Sequence, residues 1–295
     1  MQELKNLLTQ NYAISVQSIK LAPRGFVGET YIVNAKNNRY FLKIFQKNRY
    51  FVNVLQSLLG LKELKNLGFN HINYPLSTKQ DFLYFKDDDK YYVLFNYIEG
   101  NDSTVEDKYE VYKELIKIHK VTDKIKSPIK KDDFKIEFES VFKKTLMKYK
   151  DIQPLSSHLE DILMHWQSFK TLAYIIRKKS SDRYLTHGDA FGNTIKNNGG
   201  LFIIDWDDLL LAPLERDLWF FYQDEKVVNL YTREFPGFHI DQDLILYYIY
   251  NRFFDDLLGF LELLESKNVN KEDLIKAIKK DCFDWTYQLI KINTK

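Results

Sequence analysis

One short strand-prone hairpin interrupts the helical second part of this 295-residue chain, and it limits what the chain can fold into. The stretch from Thr186 to Asp208 reads THGDAFGNTIKNNGGLFIIDWDD. Its two β-prone runs, NTIK and LFII, flank NNGG, whose residues favour a tight turn. A hairpin returns the chain to where it started. Asp189 and Asn193, before the first strand, therefore come back beside Asp205, after the second.

That convergence has a chemical meaning. LFII should be buried, and a carboxylate at the end of a buried strand is costly unless it is paired or holds a metal. Oxygen ligands suit Mg²⁺, which usually takes one or two carboxylates plus substrate phosphates. An Asp, an Asn and a second Asp meet the needs of phosphoryl transfer from a nucleotide. One acid orients the acceptor hydroxyl and takes its proton; the Asn and the other acid hold Mg²⁺ on the phosphates. Each half alone also suits a capped turn. The two together, in this order around a hairpin, favour a site.

The flanking sequence divides in two. The first part is strand-rich. TYIVNA and RYFLKIF are joined by KNN, and FLYF and YYVLFNYI flank KDDDK, giving two hairpins. Between them, YFVNVLQSLLGLKELKNLGF has leucines at helical spacing, with Gly68 placed to cap its end. Beyond IEGND five segments read as amphipathic helices: 106–121, 134–150, 156–179, 241–266 and 271–292. The expected organisation is α+β, with a β-rich lobe over residues 1–96, a joint near Asn96 to Gly100, and a helical lobe over residues 97–295 that carries the embedded hairpin.

The pattern HGD…N…IDWDD…ERDL resembles the aminoglycoside phosphotransferase and choline kinase superfamily, which has a two-lobe, protein-kinase-like fold. The run IDWDDLLLAPLERDLWFF is most similar to the spectinomycin phosphotransferase branch, and YYIYNRFFDDLLGF is similar to that branch's C-terminal helix. The resemblance implies that Asp189 is the catalytic acid/base, that Asn193 and Asp205 hold Mg²⁺, that His187 braces the catalytic loop, and that Asp207 lies near metal or substrate. It implies ATP or GTP as donor. The family pattern spaces the Asp and the Asn by four residues; HGDAFGN leaves three, so either Gly192 absorbs the tightening through its wider backbone freedom or metal binding at Asn193 is altered.

A kinase-like fold also needs a covering loop and a strand lysine. Gly25 and Gly28 in APRGFVGETYIV precede a strand, and the backbone N–H groups of such a turn can face phosphates. Lys43 sits inside YFLKIF, where a lysine needs an anionic partner. A nucleotide phosphate is one; an edge-strand role is the plainer alternative. In protein kinases this lysine pairs with a Glu on the next helix. Glu63, the only acid between Lys43 and Asp81, is the candidate by elimination, with Asp205 as the other possible partner. At the joint the resemblance assigns adenine recognition to the Asn96 carbonyl and the Ile98 amide.

At the acceptor end, Asp255 and Asp256 match the family's acidic pair and would draw a cationic substrate. Glu262 and Glu265 follow on the same helical stretch and suit a solvated face. Arg216 and Asp217 suit buttressing, and Tyr247, Tyr248, Tyr250 and Trp285 suit a core more than a sugar-stacking surface.

Composition narrows the classes. Lysines and arginines number 43 against 41 acids, a net charge of +2, which argues against a nucleic-acid binder driven by bulk charge. MQELKNLLTQ opens with charges, and the longest apolar run, LILYYIY, is far short of the ~20 residues a membrane span needs. With a single cysteine, Cys282, this points to a reducing cytoplasm. The expected partners are a nucleotide and a small-molecule hydroxyl acceptor, aminoglycoside- or spectinomycin-like. A metabolic kinase for choline, ethanolamine, homoserine or a sugar is the alternative enzyme. A catalytically silent kinase-like binding module is the alternative from another class.

Overall fold

Alternating side chains in the N-terminal strands build one antiparallel sheet and assign its faces. The structure is a computed structural model and describes residues 1–22, 29–46, 51–265 and 270–294. Gly25 and Gly28, expected to cover phosphates, lie outside the described residues. The chain forms two compact units: residues 1–131 with 184–212, and residues 132–183 with 213–295.

In the first unit, helix α1 (Gln2–Asn11) precedes β1 (Val16–Leu21), β2 (Glu29–Ala35) and β3 (Arg39–Gln46). Helix α2 (Phe51–Asn66), β4 (Phe85–Asp87) and β5 (Lys90–Asn96) follow. The five strands run in the order β1-β2-β3-β5-β4, all pairs antiparallel. On one face Val33, Leu42, Ile44, Tyr92 and Leu94 pack with Leu8 of α1 and with Tyr12, just past its end. Each such fully buried side chain contributes about 1.5–3 kcal/mol. The two-residue period sends Lys43, opposite Val93 in the ladder, to the other face. Helix α2 ends in the αL turn foreseen at Gly68 (φ +92°): Gly68 N–H reaches Lys65 O at 2.9 Å and Phe69 N–H reaches Leu64 O at 3.1 Å.

The first unit is completed by β6 (Asn101–Asp102), α3 (Lys108–His119), β7 (Tyr184–Thr186), β8 (Thr194–Asn197), β9 (Gly200–Ile203) and β10 (Leu210–Ala212). The expected hairpin is β8–β9, with Thr194 opposite Ile203. Residues 71–76 join it to the main sheet. Ile72 bridges Ile203, Ile203 N–H reaches His71 O at 3.0 Å, and Asn96 N–H reaches Tyr74 O at 3.2 Å. This chain of backbone bonds fixes the residues after β9 relative to Lys43 on β3.

The second unit holds α4 (Glu139–Lys148), α5 (Leu155–Ile176), α6 (Glu215–Leu218), α7 (Glu225–Glu234), α8 (Gln242–Leu263), α9 (Lys271–Ala277) and α10 (Tyr287–Asn293). A wider π-helical stretch, Ile278–Thr286, replaces the uninterrupted helix expected over 271–292. Its core is aromatic: Phe142, Trp166, Phe169, Tyr250, Phe253 and Phe254 are all buried. Among the described residues no helix is long and apolar enough to cross a membrane.

Three further local expectations change. The strand expected over FLYF starts only at its last residue and runs Phe85–Asp87. The helix expected from 134 starts at Glu139, because Phe134 adopts φ +56° and no helix passes through that backbone. Helices α1 and α7 were not anticipated. Asp224 caps α7 with its carboxylate on the Lys226 and Val227 amides, a signal that was available in DEKVVNLYTRE.

Candidate active site

The hairpin ends assemble a site within the first unit. Lys43 Nζ lies 2.5 Å from Asp205 Oδ1 and 2.7 Å from Asp207 Oδ2, with its side chain only 8% exposed. Burial alone would lower the lysine's pKa. The two carboxylates outweigh it, and the net shift is upward, so the ammonium stays charged. One ammonium does not fully compensate two acids. For Asp205, whose side chain is 45% exposed, desolvation is the largest single influence and raises the pKa, but Lys43, His187 and the hydrogen bond with Asp207 together outweigh it and the net shift is downward. For Asp207, burial and repulsion from Asp205 exceed the help from Lys43, and its pKa is pushed up to about 6.

Asp205 has φ +64°, a left-handed backbone uncommon for a residue with a side chain. Such strain persists where the surroundings impose it, and it clusters at functional sites. Here the next residue supplies the anchor: Trp206 is buried and its indole N–H donates to Ile203 O at 3.0 Å.

His187 ties the loop before the hairpin to the strand after it. Its Nε2 bonds Ile204 O at 2.8 Å, and Asp189 N–H donates to its Nδ1 at 3.2 Å. A carbonyl can only accept and an amide N–H can only donate, so the ring proton sits on Nε2. Asn193 Nδ2 donates to Asp189 O at 2.7 Å and to Asp189 Oδ2 at 3.2 Å. Asn193 O accepts from Ile204 N–H at 2.8 Å. Gly192, between them, adopts φ +100°, so the shortened loop closes on the backbone expected of it.

This donor set fits a hard dication. Asp205 and Asp207 share one ammonium, and Asn193 turns its amide nitrogen to Asp189, leaving its oxygen as the atom suited to a cation. Among the described residues no group of three or more His, Cys, Asp or Glu gathers as a metal cage. An ion such as Mg²⁺ would complete its shell with phosphate oxygens.

Other expected residues fall elsewhere. Glu63 does not pair with Lys43: it accepts the Lys126 and Ser127 amides at 2.7 and 2.8 Å, and the Ser127 hydroxyl. Elimination found the only nearby acid but not its direction on the helix. Asn96 ends β5, and its Oδ1 accepts Tyr74 N–H at 2.7 Å; Ile98 follows in the half-buried joint. Asp255 and Asp256 lie on α8 in the second unit, both half-buried, with Asp256 accepting Arg252 Nε at 2.6 Å. Glu265 is paired with Lys148 at 2.6 Å. Tyr247, Tyr248 and Tyr250 are core residues. Trp285 is half-buried, its ring centre 4.6 Å from that of Phe220. Arg216 and Asp217 are buried on α6.

Sequence reasoning missed three groups here. Asp207 was placed near metal or substrate but not as a partner of Lys43. Asn53 Nδ2 donates to Asp208 Oδ1 at 3.1 Å, and Ser57 Oγ lies 3.1 Å from Asp207 O. The signal was present as two small polar residues four apart, set among Val54, Leu55 and Leu58.

Comparison with known proteins bears on the family and the fold. The profile of the phosphotransferase enzyme family matches residues 18–247. A search of curated proteins finds no match. Among solved structures, a spectinomycin phosphotransferase in complex with ADP and spectinomycin is similar with a TM-score of 0.75 at 19% identity, covering 99% of this chain and 97% of that one. The microcompartment-associated aminopropanol kinase gives 0.67 at 13%, with 99% and 98% covered. A choline kinase from Streptococcus pneumoniae gives 0.65 at 17%, with 99% and 98% covered. At these identities the likeness establishes the protein-kinase-like fold. With the family profile spanning well over half of its length, the chain belongs to the phosphotransferase enzyme family.

Proposed function

We propose that this protein is a Mg²⁺-dependent kinase that moves the γ-phosphate of ATP or GTP to a hydroxyl of a small molecule, aminoglycoside- or spectinomycin-like. The observation that carries the reading is Lys43 held between Asp205 and Asp207, at the end of the same hairpin that ties Asp189 to Asn193.

In this reading residues 1–96 cover the nucleotide and residues 97–295 carry the catalytic and acceptor groups. The base rests on the joint at Asn96 and Ile98, and Gly25 and Gly28 belong to the phosphate cover. Lys43 neutralises donor phosphate charge. Asn193, Asp205 and, behind them, Asp207 would hold Mg²⁺, which when bound neutralises charge on the phosphates. Asp189 accepts the proton of the acceptor hydroxyl as its oxygen bonds to phosphorus. The bond from phosphorus to the bridging oxygen breaks, and nucleoside diphosphate leaves. His187 holds the Asp189 amide, so the base is aimed by the backbone. Asp255 and Asp256 are the proposed acceptor-side acids, suited to a cationic substrate in a cytoplasmic setting.

The metabolic reading differs only in the acceptor. It is favoured by the likeness to proteins named as aminopropanol and choline kinases. The test is nucleotide turnover with Mg²⁺ over spectinomycin, several aminoglycosides, aminopropanol, choline and homoserine. A single strong acceptor decides between the readings. Nucleotide binding without turnover of any acceptor would point to the silent module instead.

A further inference from the structure

Helix α2 looks apolar, yet the face it turns to residues 207–209 is polar at two buried positions. Asn53 is 8% exposed and Ser57 not at all. With Gly60 they recur at helical spacing and share one side of the helix. Ser57 Oγ accepts Leu209 N–H at 3.0 Å and can donate to Asp207 O at 3.1 Å, a proton it shares with Asn53 O at 2.9 Å. Asn53 Nδ2 reaches Asp208 Oδ1 at 3.1 Å. A Cβ at Gly60 would stand 2.5 Å from Leu209 Cδ2, so the helix approaches as closely as a missing side chain permits. Alanine at position 57 would favour the helix more and bury no hydroxyl. The hydroxyl instead closes bonds on the segment that carries the Lys43 carboxylates.

In protein kinases the equivalent helix presents a Glu to the strand lysine. Here Glu63 is engaged by residues 126–127, and Lys43 by Asp205 and Asp207. We propose that Asn53 and Ser57 are positioning residues that replace that ion pair. They fix the backbone of residues 207–209, and with it the carboxylates of Asp205 and Asp207, in the orientation that receives metal-bound phosphates. The inference rests on the phosphotransfer reading of the same site.

The test is calorimetric binding of ADP to the full chain with and without Mg²⁺. Wild type should bind ADP more tightly with Mg²⁺. Ser57→Ala and Asn53→Ala should each lose about 10–100-fold of the Mg²⁺-supported affinity, the range for groups that orient metal ligands, and little of the metal-free affinity. Asn53→Asp sets a carboxylate against Asp208 and should lose more than Asn53→Ala. Lys62→Ala, on the same helix in an exposed pair with Asp81, should match wild type. Affinities of the two alanine variants within threefold of wild type, or equal losses with and without Mg²⁺, would overturn the proposal. If Ser57→Ala does not fold, the two Asn53 variants decide it alone. A wild type with no Mg²⁺ effect would instead sink the metal reading on which it stands.

Discussion

Two partly shielded acidic sites, one in each unit, show what separates a reactive arrangement from a structural one. In the second unit, Asp132 accepts the Phe134 amide at 2.8 Å and the Tyr248 hydroxyl at 2.9 Å. Burial pushes its pKa up, against those bonds and the nearby Arg216 and Arg183. Its partners are mostly neutral donors from the core. In the first unit Asp205 and Asp207 share a single ammonium and repel each other. Both sites are only partly shielded from water: the Asp205 and Asp207 side chains are 45% and 26% exposed, and Asp132 is half-buried. Undercompensated negative charge marks the first, and that is the state a bound dication would relieve.

The comparison breaks or sharpens at four points. The largest effect belongs to Asp189→Ala, which should lower kcat by about 10²–10⁴, the range for removing a positioned base, while ADP binding persists. Turnover at the wild-type rate would move the base elsewhere. Next, Lys43→Ala leaves two facing acids without their cation, and urea unfolding at pH 7 should register a loss of about 3 kcal/mol, the low end of the range for buried pairs because the Asp205 side chain is 45% exposed. If Mg²⁺ recovers none of that loss, the site is not a cation site.

Third is a dependence on pH. Asp207 has a folded pKa of about 6 against an ordinary 3.8. Between those values the folded chain keeps a proton that the unfolded chain has released. Its contribution to stability is present below about pH 4 and is lost as pH rises through 6. Asp207→Asn should therefore flatten the melting temperature of the nucleotide-free protein across pH 4 to 6. Asp205, shifted downward, behaves oppositely: its contribution is present above the ordinary carboxylate range and is lost on acidification below it. An unchanged slope in Asp207→Asn would remove the claim of undercompensated charge. The smallest effect is Tyr248→Phe, which takes one neutral donor from Asp132 and should cost about 1–3 kcal/mol in the same unfolding assay. A Tyr248→Phe loss exceeding that of Lys43→Ala would reverse the contrast between the two clusters.

The sequence made the hairpin legible because its turn residues and two apolar runs act locally. Lys43 stood out because a cation inside an apolar strand requires a partner. The partners were harder to name. Asp205 and Asp207 both face the lysine because the chain turns through a left-handed backbone at 205, which no periodic pattern encodes. Glu63 was the only acid on α2, yet the helix phase that meets Asp207 belongs to Asn53 and Ser57. Leucine spacing announced that helix and hid the role of these two positions. Phe134 stopped an otherwise plausible helix, held by Arg177 bonding its carbonyl at 2.9 and 3.1 Å, a contact from far along the sequence.

The peptide at Asp205 makes that position a gauge of backbone strain. Glycine would adopt the same backbone more cheaply, and asparagine more readily than alanine. In Asp205→Gly the relief of that backbone should offset part of the stability lost with the carboxylate that Lys43 holds. Asp205→Gly and Asp205→Asn are therefore cleaner variants than Asp205→Ala for separating ligand loss from backbone strain.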